Sequence, residues 1–141
     1  MADAEIVQIE PTDDDPVVIN PLNDKPMQKL KIGPVQIDRC EETGAIWLDR
    51  GELAQLATLG AQYKKMLKEL DQPNPEATRR ARRGPIKSPR TGEVMMVVND
   101  PSQKHIEFEV DPSGGGCFFD AGELADLTEY SFGERLRSFF G

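Results

Sequence analysis

Two pairs of carboxylates recur at one spacing: Asp49 and Glu52 in Trp-Leu-Asp-Arg-Gly-Glu-Leu, and Asp120 and Glu123 in Phe-Phe-Asp-Ala-Gly-Glu-Leu. Two acids three residues apart could serve as general acid and base if their surroundings drove their pKa values apart. The same spacing serves a plainer purpose. An Asp at a helix N-cap accepts a bond from an orphan N–H while the Glu reaches back, a capping-box variant worth about 0.5–2 kcal/mol. Acids in a first helical turn also suit the helix dipole. Asp49, Glu52, Asp120 and Glu123 are therefore read as helix caps, and no catalytic residue is assigned.

The remaining reactive side chains are few. Cys40 and Cys117 are the two cysteines and His105 is the one histidine. No Cys–His pairing is suggested, and His105 falls among glutamates on the polar side of a predicted strand. Gly114-Gly115-Gly116 is followed by apolar residues and an Asp. It lacks the Gly-Lys-Ser/Thr ending of a phosphate loop. Neither an enzyme nor a cofactor is expected.

These residues must be positioned by a small frame. The chain has 141 residues, 38% of them apolar and 30% charged. That suits one small domain or two very small ones. No apolar run approaches the roughly 18 residues needed to span a bilayer. The first 16 residues are acidic and lack the basic-then-apolar layout of a secretory signal. A reducing, cytoplasmic setting with free thiols is expected. The net charge of −8 argues against general nucleic-acid binding. Charge is segregated, however: residues 1–24 carry acids and no Lys or Arg, whereas Arg79, Arg80, Arg82, Arg83, Lys87 and Arg90 form a segment without acids. Such blocks mark tails that meet a partner or each other.

The chain repeats itself. Trp47 to Leu53 aligns with Phe118 to Leu124, Asn20-Pro21-Leu22-Asn23 with Ser88-Pro89-Arg90-Thr91, and Met27 with Met95. Each copy predicts a tight turn, a β-hairpin, a second turn, and a short aromatic strand leading into a helix. In the first copy Leu30, Ile32, Val35 and Ile37 alternate around Gly33-Pro34. In the second, Val94 to Val98 forms one strand, Asn99 to Ser102 the turn, and Ile106, Phe108 and Val110 alternate with Glu107 and Glu109. A single helix from Arg50 to Leu70 is predicted. Its residues Leu56, Leu59, Tyr63, Met66 and Leu70 follow the 3-4 spacing of helix pairing. That face either covers the other copy's sheet or docks a partner or a second copy of the chain. After Leu124 the apolar residues continue to Phe139 and Phe140, which either fold back or insert into a partner.

These turns and the WLDRGEL ending resemble bacterial zinc ribbons of the transcription-factor-IIB type, across roughly residues 19–57 and 87–127. The resemblance implies zinc knuckles at Asn20, Asn23, Cys40 and Thr43 in the first copy, and at Ser88, Thr91, Asp111 and Gly114 in the second. Only Cys40 is a cysteine. A structural zinc site needs four Cys or His ligands, so these are vestigial ligand positions and no metal is expected. Asn, Asp, Ser, Thr and Gly are residues that hold a turn by bonding their own backbone. The expected fold class is α+β: two zinc-ribbon-like units, each a small antiparallel β-hairpin or sheet followed by an α-helix, packed together. The expected organisation is an acidic disordered tail over 1–16, repeats over 17–71 and 87–141, and a Pro/Arg-rich linker over 72–86. Zinc contributes on the order of 10 kcal/mol to folding a finger-sized unit, so the copies must share a core or a partner must complete them.

The function expected is a non-catalytic, metal-free protein–protein interaction or scaffold protein. Its partner-binding candidates are Leu56, Leu59, Tyr63, Met66, Leu70, Phe139 and Phe140, with self-association through the first helix. The resemblance points towards a transcription accessory. Two alternatives stand beside this reading: a nucleic-acid- or RNA-polymerase-binding accessory acting through Arg79–Arg90, and a structural subunit of a larger assembly.

Overall fold

A computed structural model describes residues 5–73, 84–99, 107–114 and 116–130, with side chains to Leu127. The alternating apolar residues around Gly33-Pro34 form β2 (Gln28–Ile32) and β3 (Val35–Arg39), paired antiparallel from Gln28 opposite Arg39 to Ile32 opposite Val35. Gly33 holds φ at 59°, and an added Cβ would lie 2.8 Å from the Tyr63 ring. The turn can therefore be tight and covered only with glycine. Before this hairpin runs β1 (Ile6–Ile9), antiparallel to β2. After it come β4 (Ile46–Leu48), α1 (Glu52–Ala57) and α2 (Ala61–Leu70). The second copy contributes β5 (Met96–Asn99), β6 (Glu107–Val110), β7 (Cys117–Phe119) and α3 (Glu123–Tyr130).

Among the described residues all of the strands belong to one antiparallel sheet of seven, in the order β1-β2-β3-β4-β7-β6-β5. This corrects the α+β expectation of two ribbon-like units, each a hairpin followed by a helix. The architecture of the described residues is dominated by the sheet, with three short helices. The physical reason lies at β4 and β7. Each is a three-residue strand buried throughout, too short and too apolar to end a sheet, because an edge strand would expose its backbone and its aromatic side chains. They pair with each other, Ile46 opposite Phe119, Trp47 opposite Phe118 and Leu48 opposite Cys117. Trp47 and Phe118 are equivalent in the repeat, so a local two-fold axis passes between them.

The sheet buries both faces, and the helices cover one. There Ile32, Val35, Ile37, Ile46, Leu48, Phe108 and Phe119 meet Leu53, Leu56, Leu67, Leu124 and Leu127. Phe108 and Phe119 stack with ring centroids 4.8 Å apart. On the other face Trp47 and Phe118 are covered by the turn segments, through Val18, Met27, Cys40, Ala45 and Met95. Gly116 packs so closely there that a Cβ would stand 2.3 Å from Trp47 Cζ2.

Further expectations are corrected. The predicted disordered tail over residues 1–16 supplies edge strand β1 and, through Asp15, part of a buried ionic network. The predicted single helix from Arg50 to Leu70 is two helices. Thr58 and Leu59 donate to Gln55 and Leu56 in a tightened last turn, and Gly60 is extended at ψ 171° before α2 begins. The strand expected from Val94 begins at Met96, while Val94 makes an isolated bridge to Lys87. That bridge repeats the one between Ile19 and Pro26. Most of the expected Asn99–Ser102 turn, His105, Ile106, Arg79, Arg80, Arg82, Arg83, Phe139 and Phe140 lie outside the described residues.

Candidate functional site

The eight positions expected to be vestigial ligands lie together, four in each half, and their polar atoms bond one another and nearby backbone. In the first half the backbone closes two turns. Asp24 N donates to Asn20 O at 2.9 Å, and Gly44 N donates to Cys40 O at 2.8 Å. The side chains then cross between the turns. Asn20 Nδ2 donates to Thr43 Oγ1 at 3.2 Å and Asn23 Nδ2 donates to Cys40 Sγ at 3.7 Å. The remaining acceptors take backbone N–H groups: Asn20 Oδ1 from Leu22, Asn23 Oδ1 from Lys25 and Thr43 Oγ1 from Ala45. Burial raises the Cys40 thiol, but hydrogen bonds from Thr43, Asn20 and Asn23 outweigh it and hold the thiol below its ordinary value.

In the second half Asp111 is the hub. Its Oδ1 accepts from Ser113 N at 2.8 Å, Ser113 Oγ at 3.0 Å and Gly114 N at 3.0 Å, and its Oδ2 accepts from Thr91 Oγ1 at 2.7 Å. Ser88 Oγ accepts from the N–H groups of Arg90 and Thr91. Burial raises Asp111, yet bonds from Ser88, Thr91, Gly114 and Ser113 prevail and hold its carboxyl well below the usual range. Gly114 leaves the room this needs, since a Cβ there would meet Asp111 Oδ2 at 3.0 Å. Neither donor set fits a structural zinc: one has a single thiol among two amides and a hydroxyl, the other a carboxylate already saturated with donors. Among the described residues no group of three or more His, Cys, Asp or Glu side chains is placed to hold a metal. Cys117 is remote in role. It is a free thiol in the helix-side core, raised by burial and by nearby Glu52 and Asp49.

The cap residues are only partly what their spacing predicts. Glu52 Oε1 does reach back to accept from Asp49 N at 2.7 Å. The Asp49 carboxylate, however, caps nothing: the position before α1 is Gly51 and has no side-chain cap. Asp49 instead accepts from Trp47 Nε1 at 2.9 Å and, through both oxygens, from Arg90 at 2.9 and 2.8 Å. Arg90 reaches on to Asp15 Oδ1 at 2.7 Å and to Pro16 O at 3.1 Å. Asp15 also accepts from Gln36 and from Lys29, and Lys29 lies 2.8 Å from Asp38, with both of those side chains fully buried. Arg90 thus joins the second copy's first turn to the first copy's helix start and to the N-terminal segment. It is a structural clamp and not a free cation of the basic segment, which corrects its place in that set. Lys87 remains exposed.

Burial, aided by Asp49, Asp38 and Asp15, pushes Glu52 up to about 8, and burial pushes Asp38 up to about 6. Burial also raises Asp49 and Asp15, but the bonds from Arg90 and Trp47, and from Gln36, Lys29 and Arg90, prevail and lower both. In the second half Asp120 O accepts from Glu123 N at 3.1 Å. A side-chain acceptor for the start of α3 arrives from elsewhere. Asp71, just past α2, takes Gly122 N at 2.8 Å and Ala125 N at 2.9 Å. Nothing local to α3 signals this, because the partner comes from the other half of the chain.

The predicted partner face is also absorbed. Leu56 is buried, and Leu59, Tyr63 and Leu70 pack against the core of their own sheet. Met66 is half-buried on the same helix. A concave feature among the described residues opens to solvent elsewhere, between the Asp49–Ala54 turn-and-helix start and the Asp111–Ser113 turn. It is a groove of about 580 Å³. Leu53, Ala54, Met96, Val110 and Cys117 provide its apolar lining, and Asp49, Arg50, Asp111 and Ser113 its polar lining. Met96 and Val110 could not have been singled out from sequence, since each reads as an ordinary strand residue. Among the described residues no helix is long and apolar enough to cross a membrane. The chain matches no family model, no curated protein and no solved structure.

Proposed function

We propose that this protein is a non-catalytic protein–protein interaction module that receives a segment of a partner polypeptide in the groove beside β5. The groove supports this reading, because an apolar lining of Leu53, Ala54, Met96 and Val110 beside charged and hydroxyl groups suits a side chain offered by another chain. The polar constellations point the same way: the ligand-type turns and the carboxylate–arginine network are occupied holding the fold together. A peptide-display selection against the intact protein tests it. Enriched peptides that compete with one another and are lost on Ala54→Trp, which fills the groove from an exposed position, are expected. No enrichment sinks it.

A second reading has a specific feature in its favour, the run of cations without acid from Arg79 to Lys87. A nucleic-acid-binding transcription accessory would use Arg79, Arg80, Arg82, Arg83 and Lys87, while Arg90 is engaged internally. Retention of the protein on an RNA or DNA oligomer, falling steeply with salt, would favour it over the groove.

A further inference from the structure

The two-fold relation between the halves exposes one asymmetry. β2 in the first half corresponds to β5 in the second, just as Met27 corresponds to Met95, and the bridge Ile19–Pro26 to the bridge Lys87–Val94. β2 is covered on its outer side by β1, antiparallel, with Ile9 opposite Lys29, Gln8 opposite Leu30 and Val7 opposite Lys31. β5 ends the sheet, and among the described residues no strand pairs with its outer side. Exposed apolar side chains lie along this edge. Val94 is 53% exposed, Met96 58% and Val97 52%, on and beside this edge. An apolar edge of this kind is a template for another strand.

We propose that the partner binds by adding an extended strand antiparallel to β5, in the place that β1 fills on β2; this rests on the interaction reading above. The chemistry of the occupant can be read from β1 itself, Ile-Val-Gln-Ile flanked by Glu5 and Glu10. Carried to β5 in the same register, Ile9 lies opposite Val97 and Gln8 opposite Val98, and the flanking Glu10 follows opposite Met96. Directly opposed residues in antiparallel strands share a face. The Glu10 side chain therefore sits on the helix-bearing face with Met96, at the mouth of the groove that Arg50 also lines. Main-chain pairing would supply affinity and the groove would supply selectivity, as in other strand-addition interfaces. Acidic flanks complement Lys87, which is exposed at its bridge with Val94.

The test titrates the intact, 15N-labelled protein with a synthetic peptide of residues 4–11, Ala-Glu-Ile-Val-Gln-Ile-Glu-Pro. Saturable binding is expected, weakening with salt, with the largest amide shifts at Met96, Val97 and Val98 and new exchange protection only at those of them whose N–H points away from β6. Two N-methylated peptides carry the decisive contrast, one blocked at Val7 and Ile9, the other at Ile6 and Gln8. Alternate N–H groups point to opposite sides of a strand, so only one of the two should lose binding. The protein is unchanged in this comparison, so its folding cannot confuse the result. Equal binding by both N-methylated peptides, or shifts confined to the groove and α1, overturns strand addition and leaves the interaction reading standing. No binding of this peptide while display-selected peptides do bind has the same consequence; failure of both sets overturns both. A dimer of the free protein that the peptide dissociates would place a second copy on this edge, and that too overturns the assignment to a partner.

Discussion

Asp111 shows how one carboxylate can hold a turn together. One carboxylate collects two backbone N–H groups and two hydroxyls within its own half of the chain. Asp111→Ala removes the charged acceptor of these four part-buried hydrogen bonds, and we expect it to cost about 1–3 kcal/mol, read as a lowered denaturation midpoint. Asp71 acts across the halves, holding Gly122 and Ala125 at the start of α3. Asp71→Ala should cost about 0.5–2 kcal/mol, in the manner of a lost cap. Its signature should be early loss of amide protection in α3, with β2 and β3 unaffected. If α3 keeps its protection, Asp71 does not hold that helix start.

At the scale of elements, α1 and α2 serve the sheet. Leu56 is 1% exposed among Ile37, Leu53 and Leu67. Leu56→Ala should therefore cost about 2–5 kcal/mol of stability, the range for a large core deletion. A partner-facing leucine would leave stability within about 0.5 kcal/mol of the parent, so chemical denaturation separates the two. Gly116 is the corresponding tight point on the other face. Gly116→Ala must push Trp47 off the axis between the halves, and a loss of about 1–3 kcal/mol is expected from overpacking. Tryptophan fluorescence should change with it, because the indole leaves its place beside Phe118.

For the whole molecule, the joined sheet makes the halves interdependent. Residues 1–73 alone would expose Ile46, Trp47 and Leu48 along a bare strand, and we expect no cooperative melt from that fragment. A sharp transition from it would show that the halves fold separately. Ionisation is also set globally. Glu52 is raised to about 8, and Asp38 and Asp71 to about 6. For groups raised on folding, the stabilisation is complete below their unfolded pKa and is lost as pH climbs through the folded one. Asp15, Asp49 and Asp111 are lowered, so their contribution is present above the ordinary carboxylate range and is lost as pH falls below it. Melting temperature should therefore rise from pH 8 towards about 5 and fall again below about 4. Glu52→Gln should flatten the upper limb. A melting temperature that climbs steadily to pH 8 would contradict the assignment.

Local chemistry in the chain sufficed for much of this. Period-2 alternation located β2 and β3, the repeat identified equivalent turns, and the choice of Asn, Ser, Thr and Asp at those turns announced side-chain bonding to the backbone. The back-reaching half of the first capping box, Glu52 to Asp49, was legible from its spacing alone. Other features are invisible along the chain because their partners are distant in it. Lys29 and Asp38 read as surface residues of alternating strands, and become a buried pair only because the N-terminal segment and Arg90 close over that face. Asp49 looks like a cap until an arginine 41 residues away claims it. Most of all, a three-residue strand such as Ile46–Leu48 has no preferred neighbour until the other half presents Cys117–Phe119. Pairing those two strands buries an edge that neither half could leave exposed, and so turns two predicted units into one sheet. The outer edge of β5, unpaired among the described residues, and with it the proposed binding surface, follows from that same closure.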